Sequence, residues 1–423
     1  DFKKLMTSME AIDDLTVRMN VAELSIGVLR KTLSPFWQSM GIHSKKVFDA
    51  HPDGTADVLI GTGPFQFQEW TQDERAILNA VPGHWRKTPA MATVRILAIP
   101  EPAVRATMLR TGEADVAALD IKDIPALKAE GYVVNPISSW IQGIFYGGNY
   151  WEDKIWGTDE AVATYNSFTD NPWVGEYGNA DSMAKATLVR EAMSRTIDRV
   201  GINTNVVAGL AFPAYVPMVS INSADYDDRW TVAFEPDKGR ALLAEAGYAD
   251  GFDVALWGGG EPGSGTGREI TEAIAAGWQN ELGLNVTLDA TVYSAHRPKT
   301  VEFTFDQLQY RIARDTNTAL TLDLPKGGHA STKSAGGSIC AGNLIPKLSE
   351  LNQAAVDEPD AEKRKDIARE VIDYLQTETW LETGVLESPS FSVYNGRRIR
   401  EWPRPLTAFS YLWFNLEEAV ISP

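Results

Sequence analysis

One cysteine and five histidines in 423 residues remove much chemistry at the outset. A lone Cys340 can neither close an intramolecular disulfide nor assemble a cysteine metal cluster. Set near Gly336, Gly337 and Gly342, it reads as a small buried filler rather than a nucleophile. His43, His51, His84, His296 and His329 show no His-x-His or His-Glu-x-x-His spacing, so no two imidazoles are placed to share a metal. Neither a metal nor a cofactor is expected. Positive charge is also scarce: Lys+Arg 39 against Asp+Glu 57 gives a net charge of -18, which repels nucleic acid and anionic membrane surfaces. A nucleic-acid partner is therefore not expected. Long apolar runs are missing as well, and none reaches bilayer-spanning length. The opening DFKKLMTSMEAIDD has neither the basic nor the apolar region of a signal peptide, so the expectation is a chain already mature or truncated at its start.

What is present is ordinary globular material, 44% hydrophobic and 23% charged, long enough for two or more domains with sizeable cores. Val189, Ala192, Met193 and Ile197 recur at helical spacing, as do Ile270, Ile274, Trp278 and Leu282, so each segment carries one apolar stripe. Pro236 opens a third helix where its missing N–H costs nothing, and Gly247 closes it. Asp360 is a suitable N-cap for a fourth, with Ile367, Val371, Tyr374 and Leu375 inward. Strands are expected at Val94 to Ile99, Val116 to Leu119, Phe252 to Trp257, Val286 to Ala290 and Gln307 to Ile312. Alternation of the two kinds predicts an α/β or mixed α+β chain. Tyr150 to Ser182, rich in Trp, Tyr, Asp, Asn and Gly but without a period, reads as a long structured loop or insertion.

Three local patterns imitate known sites. Gly258, Gly260 and Gly263 fit G-x-G-x-x-G between a strand and a helix, yet Pro262 stiffens the turn that should wrap a pyrophosphate, so dinucleotide binding is disfavoured. Gly263-Ser264-Gly265 is not the G-x-S-x-G of a nucleophile elbow, and an enzyme is not expected. Asp225, Asp227 and Asp228 resemble part of a calcium loop without its Gly and terminal Glu, which favours a solvated turn. The backbone N–H groups of Gly258, Gly259 and Gly260, ahead of a helix starting near Arg268, suit a ligand carboxylate, with a plain surface loop as the competing reading. Trp257 and Tyr293, at strand ends, are candidates for stacking on a ligand or for simple core positions.

Gly61-Thr62-Gly63-Pro64-Phe65, then Trp70, Gly83-His84-Trp85 and Pro89, resemble a signature of the peptide/nickel type of extracellular solute-binding proteins, family 5. The match continues through Arg105, Leu109 and Gly112-Glu113-Ala114-Asp115, through Val189-Arg190-Glu191-Ala192 with Ile197-Asp198-Arg199, and through Phe234-Glu235-Pro236-Asp237-Lys238 to Gly247-Tyr248. Five motifs in order make the resemblance specific, though each is a turn or helix mark rather than a binding residue. It implies a two-lobed type II periplasmic-binding-protein fold with a hinge: residues 1–148 in a first lobe lacking its N-terminal strands, 149–395 in a second, and 396–423 returning to the first. Gly147, Gly148, Asn149, Asn395 and Gly396 would form the hinge.

The function so implied is the substrate-binding component of an ABC importer. It would be monomeric, periplasmic or extracellular, and peripheral to the membrane, held by a lipid anchor in the missing N-terminal portion. It would capture a small organic ligand, foremost an oligopeptide or dipeptide, between the lobes and deliver it to ABC permease subunits. Oligosaccharide, an amino acid conjugate or chelated nickel are the alternative ligands, and sensing is the alternative task. Asp315 stands where peptide-binding relatives carry the aspartate of W-x-x-D, which accepts the ligand's ammonium group; Ile312 replaces the tryptophan. The competing reading pairs Asp315 with Arg311 or Arg314 at a strand end, and Arg314 is itself a candidate ligand neighbour.

Overall fold

The computed structural model describes residues 6–21, 44–51, 60–156, 158–216, 219–258, 266–315, 342–403 and 415–422, without the side chains of 137–138, 313–315 and 356. Cys340, Gly259 and Gly260 lie outside the described residues or at their edge, with Gly258 the last described position of its loop. In chain order, strands β1 (Met6–Asp13) and β2 (Thr16–Val21) precede helix α1 (Lys45–Ala50). There follow β3 (Phe65–Thr71), β4 (Arg75–Ala80), β5 (Thr93–Leu97), α2 (Pro102–Thr111), β6 (Val116–Ala118) and α3 (Ile124–Ala129). The long β7 (Val133–Tyr146) and short β8 (Asn149–Tyr150) lead to α4 (Ala180–Arg195), α5 (Arg199–Val206), β9 (Phe212–Pro213) and α6 (Pro236–Glu245). Then come β10 (Asp253–Trp257), α7 (Gly267–Leu282), β11 (Asn285–Asp289), α8 (Tyr293–Val301) and β12 (Leu308–Asp315). The described chain ends with β13 (Asn343–Leu344), α9 (Pro346–Asp357), α10 (Ala361–Asp373), β14 (Glu382–Tyr394), β15 (Ile399–Glu401) and β16 (Val420–Ile421).

Local chemistry accounts for these bounds. The Asp360 carboxylate accepts the N–H groups of Glu362 and Lys363 at 2.9 and 3.0 Å, satisfying two donors that the first turn of α10 leaves orphaned. Pro236 occupies the first position of α6, and Gly247 beyond its end takes φ +93°, a conformation with little cost only for glycine. In α7 the apolar stripe Ile270, Ile274, Trp278 and Leu282 is buried, and the Trp278 indole N–H donates to the Met193 carbonyl of α4 at 2.9 Å.

The chain divides into two units, one formed by Asp1–Val28 and Ser139–Ser388, the other by Leu29–Ser138 and Pro389–Pro423. This division falls several residues away from the crossings expected at 148 and 395, and it places the first residues with the larger unit. Within the larger unit the sheet runs β11-β10-β12-β7-β14, with β9 on β14. Strands β10, β11 and β12 are parallel, and β7 is antiparallel to β12. Its core includes Trp151, Trp230, Leu351, Ile372 and Leu375. In the smaller unit β3, β4 and β5 form an antiparallel sheet, β6 pairs with the last residues of β14, and β15 pairs with β16.

The five sequence motifs acquire structural roles. The Thr62 carbonyl meets both the His84 ring nitrogen at 2.9 Å and the Trp85 indole N–H at 3.2 Å, which joins the GTGPF turn to the GHW turn. Arg105 donates to the carbonyls of Ala118, Ile99 and Pro100. Arg190 and Arg199 are buried and donate chiefly to carbonyls: Thr379 and Trp173 for the first, Ala214, Gly384 and Ser194 for the second. Burial lowers both guanidinium pKa values to about 10, which still leaves them charged at neutral pH.

The segment from Tyr150 to Ser182 is a packed part of the larger unit. Trp151 and Trp173 are buried, and their indole N–H groups donate to the carbonyls of Gly175 and Gly147, each at 2.9 Å. Thr164 and Asn171 donate to the carbonyls of Phe303 and Asp306. An aromatic segment without a helical or strand period is here ordered by side-chain to backbone hydrogen bonds.

Candidate functional site

Three parallel strands bring three sets of residues to one edge of the larger unit's sheet. Trp257 pairs in register with Asp289 of β11 on one side and Gln309 of β12 on the other. The carboxyl ends of β10, β11 and β12 thus present Trp257-Gly258, Asp289 with the turn into Tyr293, and Arg311 to Asp315 at one side. Ligands of open α/β sheets characteristically bind outside the carboxyl ends of the strands, where successive loops diverge.

The floor of this edge is aromatic and fixed. Trp257 is fully buried, its indole N–H donates to the Thr291 carbonyl at 2.7 Å, and one face stacks on His296 at 3.8 Å with 5° between planes. Of the two readings the sequence leaves open for Trp257, ligand stacking or a core position, its burial fits the core position, with His296 of α8 as its stacking partner. Tyr293, at the start of α8, is only half-buried and lies 6.5 Å from Trp257, ring to ring. Gly258 has no room for a side chain, since a Cβ there would come within 2.2 Å of the Thr271 methyl group.

Polar groups surround that floor. His296 is buried, with Nε2 3.1 Å from Gln309 Oε1 and Phe305 edge-on to its ring at 4.8 Å. Its Nδ1 meets no hydrogen-bond partner among the described residues. Burial pushes the imidazole pKa down to about 4; the Gln309 bond opposes this and the Arg311 charge reinforces it. Asp289 is held below its usual range: burial raises it, but hydrogen bonds from the Thr291 side chain and backbone outweigh that. The Arg311 guanidinium lies over the Tyr293 ring at 5.4 Å and over Trp257 at 6.0 Å. From the neighbouring position of β12, the Tyr310 hydroxyl donates to Gln142 Oε1 at 2.8 Å, and the Ser388 hydroxyl donates to the same oxygen at 3.1 Å.

The sequence candidates thus fall into separate groups. Trp257, Gly258 and Tyr293 come together, and the backbone of β12 brings Arg314 and Asp315 to the same edge, opposite Ile141 and Trp140. The side chains of Arg314 and Asp315 are among those not described. Gly147, Gly148 and Asn149 stand inside the larger unit. A Cβ on Gly147 would lie 2.5 Å from the Gln307 carbonyl oxygen, so close packing accounts for glycine there. Asn395 accepts an N–H from Arg397 in the smaller unit, next to Gly396. Asp227 caps a short helical turn through the Arg229 N–H, and among the described residues no group of three or more His, Cys, Asp or Glu could hold a metal ion.

Sequence reasoning did not place His296, Gln309 and Arg311 beside Trp257 and Tyr293. The alternation Gln309, Arg311 on a strand whose intervening residues are Leu308, Tyr310 and Ile312 was the available signal, since polar residues at period two share one face.

The fold this edge belongs to is that of the type II periplasmic binding proteins. The structure matches that of the periplasmic binding protein DppA from Helicobacter pylori in complex with peptide STSA with a TM-score of 0.72 and 17% identity, covering 100% of this chain and 75% of that one. The family described as bacterial extracellular solute-binding proteins, family 5 Middle, matches residues 2–323. The chain belongs to that family, whose members are binding proteins. Among curated relatives, heme-binding protein A of Haemophilus influenzae is 24% identical over 267 residues, 60% of this chain and 42% of the relative. The glutathione-binding protein GsiB of Salmonella typhimurium is 30% identical over 256 residues, 60% of this chain and 44% of the relative. The match therefore spans less than half the length of either relative.

Proposed function

We propose that this protein is the substrate-binding component of an ABC importer in the bacterial cell envelope, capturing a small peptide-like ligand at the carboxyl edge of β10, β11 and β12. The observation that carries the reading is the convergence of Trp257, Gly258, Tyr293 and the end of β12 on one edge. Backbone N–H groups after β10 suit a carboxylate, Tyr293 offers an aromatic face, and Asp315 offers an ammonium acceptor. The names of two similar proteins, one binding glutathione and one solved with a peptide, agree with a ligand carrying both charges. Captured ligand is then passed to a transmembrane permease, and no covalent step is involved.

The test is thermal shift of the chain with trialanine, glutathione, maltotriose and nickel-histidine, repeated for Asp315→Ala. A ligand that binds only the native state raises stability by about 2.7 kcal/mol at a hundredfold excess over its dissociation constant. The expected result is a rise in Tm with trialanine or glutathione that Asp315→Ala abolishes. A rise with maltotriose or nickel-histidine alone, unchanged in the variant, overturns the peptide-like assignment.

A further inference from the structure

His296 joins three elements of this edge through one ring. It stands on α8, its face stacks on Trp257 of β10 at 3.8 Å with 5° between planes, and its Nε2 meets Gln309 Oε1 of β12 at 3.1 Å. Phe305 packs edge-on at 4.8 Å, and the residue is fully buried. Nε2 donates to the Gln309 oxygen, which leaves Nδ1 a bare acceptor with no partner among the described residues. That arrangement suits the neutral ring. A proton on Nδ1 would be a buried donor without an acceptor, carrying the desolvation cost of an unmade hydrogen bond. The charged groups facing the ring do not compensate for it. Arg311 of β12 and Lys299 of α8 oppose a further cation, while Asp289 of β11, which attracts one, is turned to the Thr291 N–H and hydroxyl. An indole face favours a cation, but the Arg311 guanidinium already lies over this one at 6.0 Å.

We infer that His296 is a positioning residue of this edge and its acid-sensitive latch: the neutral ring fixes Trp257 against β12, and the protonated ring leaves the stack and frees the end of β10 and the start of α8. Trp257 is tied to the turn before α8 by its indole N–H on the Thr291 carbonyl, and Tyr293 opens the helix that carries His296. Loss of the stack therefore loosens both aromatic residues of the edge together. The inference rests on the proposed binding reading in its consequence alone, which is release of ligand in acid.

The experiment is native-state hydrogen exchange at low urea, comparing the amides of β10 and α8 with those of α4 in wild type, His296→Phe and His296→Gln. Phenylalanine keeps a ring on Trp257 and takes no proton; glutamine keeps a hydrogen-bonding group and takes none. A group with a pKa of about 4 when latched and about 6.5 when released raises the local opening constant roughly tenfold per pH unit between those values. That rise, corrected for intrinsic exchange, is expected in β10 and α8 of wild type at a rate insensitive to urea, and it is absent from both variants. The wild-type profile decides the matter even where a variant does not fold: no rise with falling pH, or a rise that α4 shares and urea accelerates, overturns the latch. The same rise in either folded variant overturns it too. Trialanine and glutathione are then titrated calorimetrically into wild type and His296→Phe at neutral pH and at about pH 4.5. Acid should weaken binding to wild type by a larger factor than binding to the variant, and equal factors overturn the release of ligand by this residue. Failure of both probes to bind at either pH overturns the peptide-like reading, while a tenfold exchange profile still supports the latch.

Discussion

The two units use similar sequence material to different depths. In the larger unit β10 and α7 bury Leu256, Trp257, Ile270 and Trp278 almost completely, and even two of its arginines, Arg190 and Arg199, are enclosed and bonded to carbonyls. In the smaller unit β3 and β5 alternate as a half-buried sheet should and β4 is half-buried from Ala76 to Ala80, yet none of their residues is fully buried. Trp70 is 61% exposed and Trp85 76%. A cavity of about 920 Å³ lies along β4 and β5, lined among others by Ile77, Val94, Ile96, Met108 and Leu416. The lesson is that periodicity sets which face is apolar, while the thickness of the second layer sets how much that face contributes. Apolar burial stabilises by about 25 cal/mol per Å², so side chains left beside a cavity contribute a fraction of what enclosed ones do.

The largest test of this contrast is Arg190→Met in the larger unit. Methionine fills much of the volume but leaves the carbonyls of Thr379 and Trp173 without their donors, and the expected loss is about 3 to 5 kcal/mol. Equilibrium urea unfolding with hydrogen exchange should locate that loss in Ser139–Ser388; a loss under 1 kcal/mol, on the order of a surface change, would break the claim that the enclosed cation organises this unit.

Acid provides the next test. His296 has its pKa lowered to about 4 in the folded chain, against about 6.5 unfolded. The unfolded state therefore binds the extra proton between those values. Stability from this group is fully present above about pH 6.5 and is lost as pH falls towards 4, by on the order of 3 kcal/mol. His296→Gln should flatten that part of the stability profile, and an unchanged acid slope would show that the buried stack is not what the larger unit loses first.

The smallest expected effect lies in the smaller unit. Ile96 is only half-buried beside the cavity, so Ile96→Ala should cost about 1 kcal/mol, against the 2 to 5 kcal/mol usual for a fully enclosed aliphatic residue. A cost at the upper end would mean that this sheet is packed as tightly as the other unit's, and the comparison between them would fail.

Much of the fold was legible because its signals are local. The stripe Ile270, Ile274, Trp278, Leu282, the Asp360 cap and the Pro236-to-Gly247 bracket each depend on neighbours in the chain, and each appears where the pattern places it. The ordering of the Tyr150 to Ser182 segment was not legible, because its hydrogen bonds reach Gly147, Phe303 and Asp306, positions that no period connects. Trp257 shows the same limit within the site: a strand-end tryptophan announces an aromatic face, but only α8 decides that His296 covers it.

The sequence by itself determined the family resemblance, the alternation of strands and helices and the positions of Trp257 and Asp315 at strand ends, because helices, strands and turns answer to nearest-neighbour sterics and periodicity. Only the tertiary structure decided that β10 lies between β11 and β12. That order, fixed by long-range pairing and burial rather than by any local preference, is what sets Arg311 over Tyr293 and Trp257.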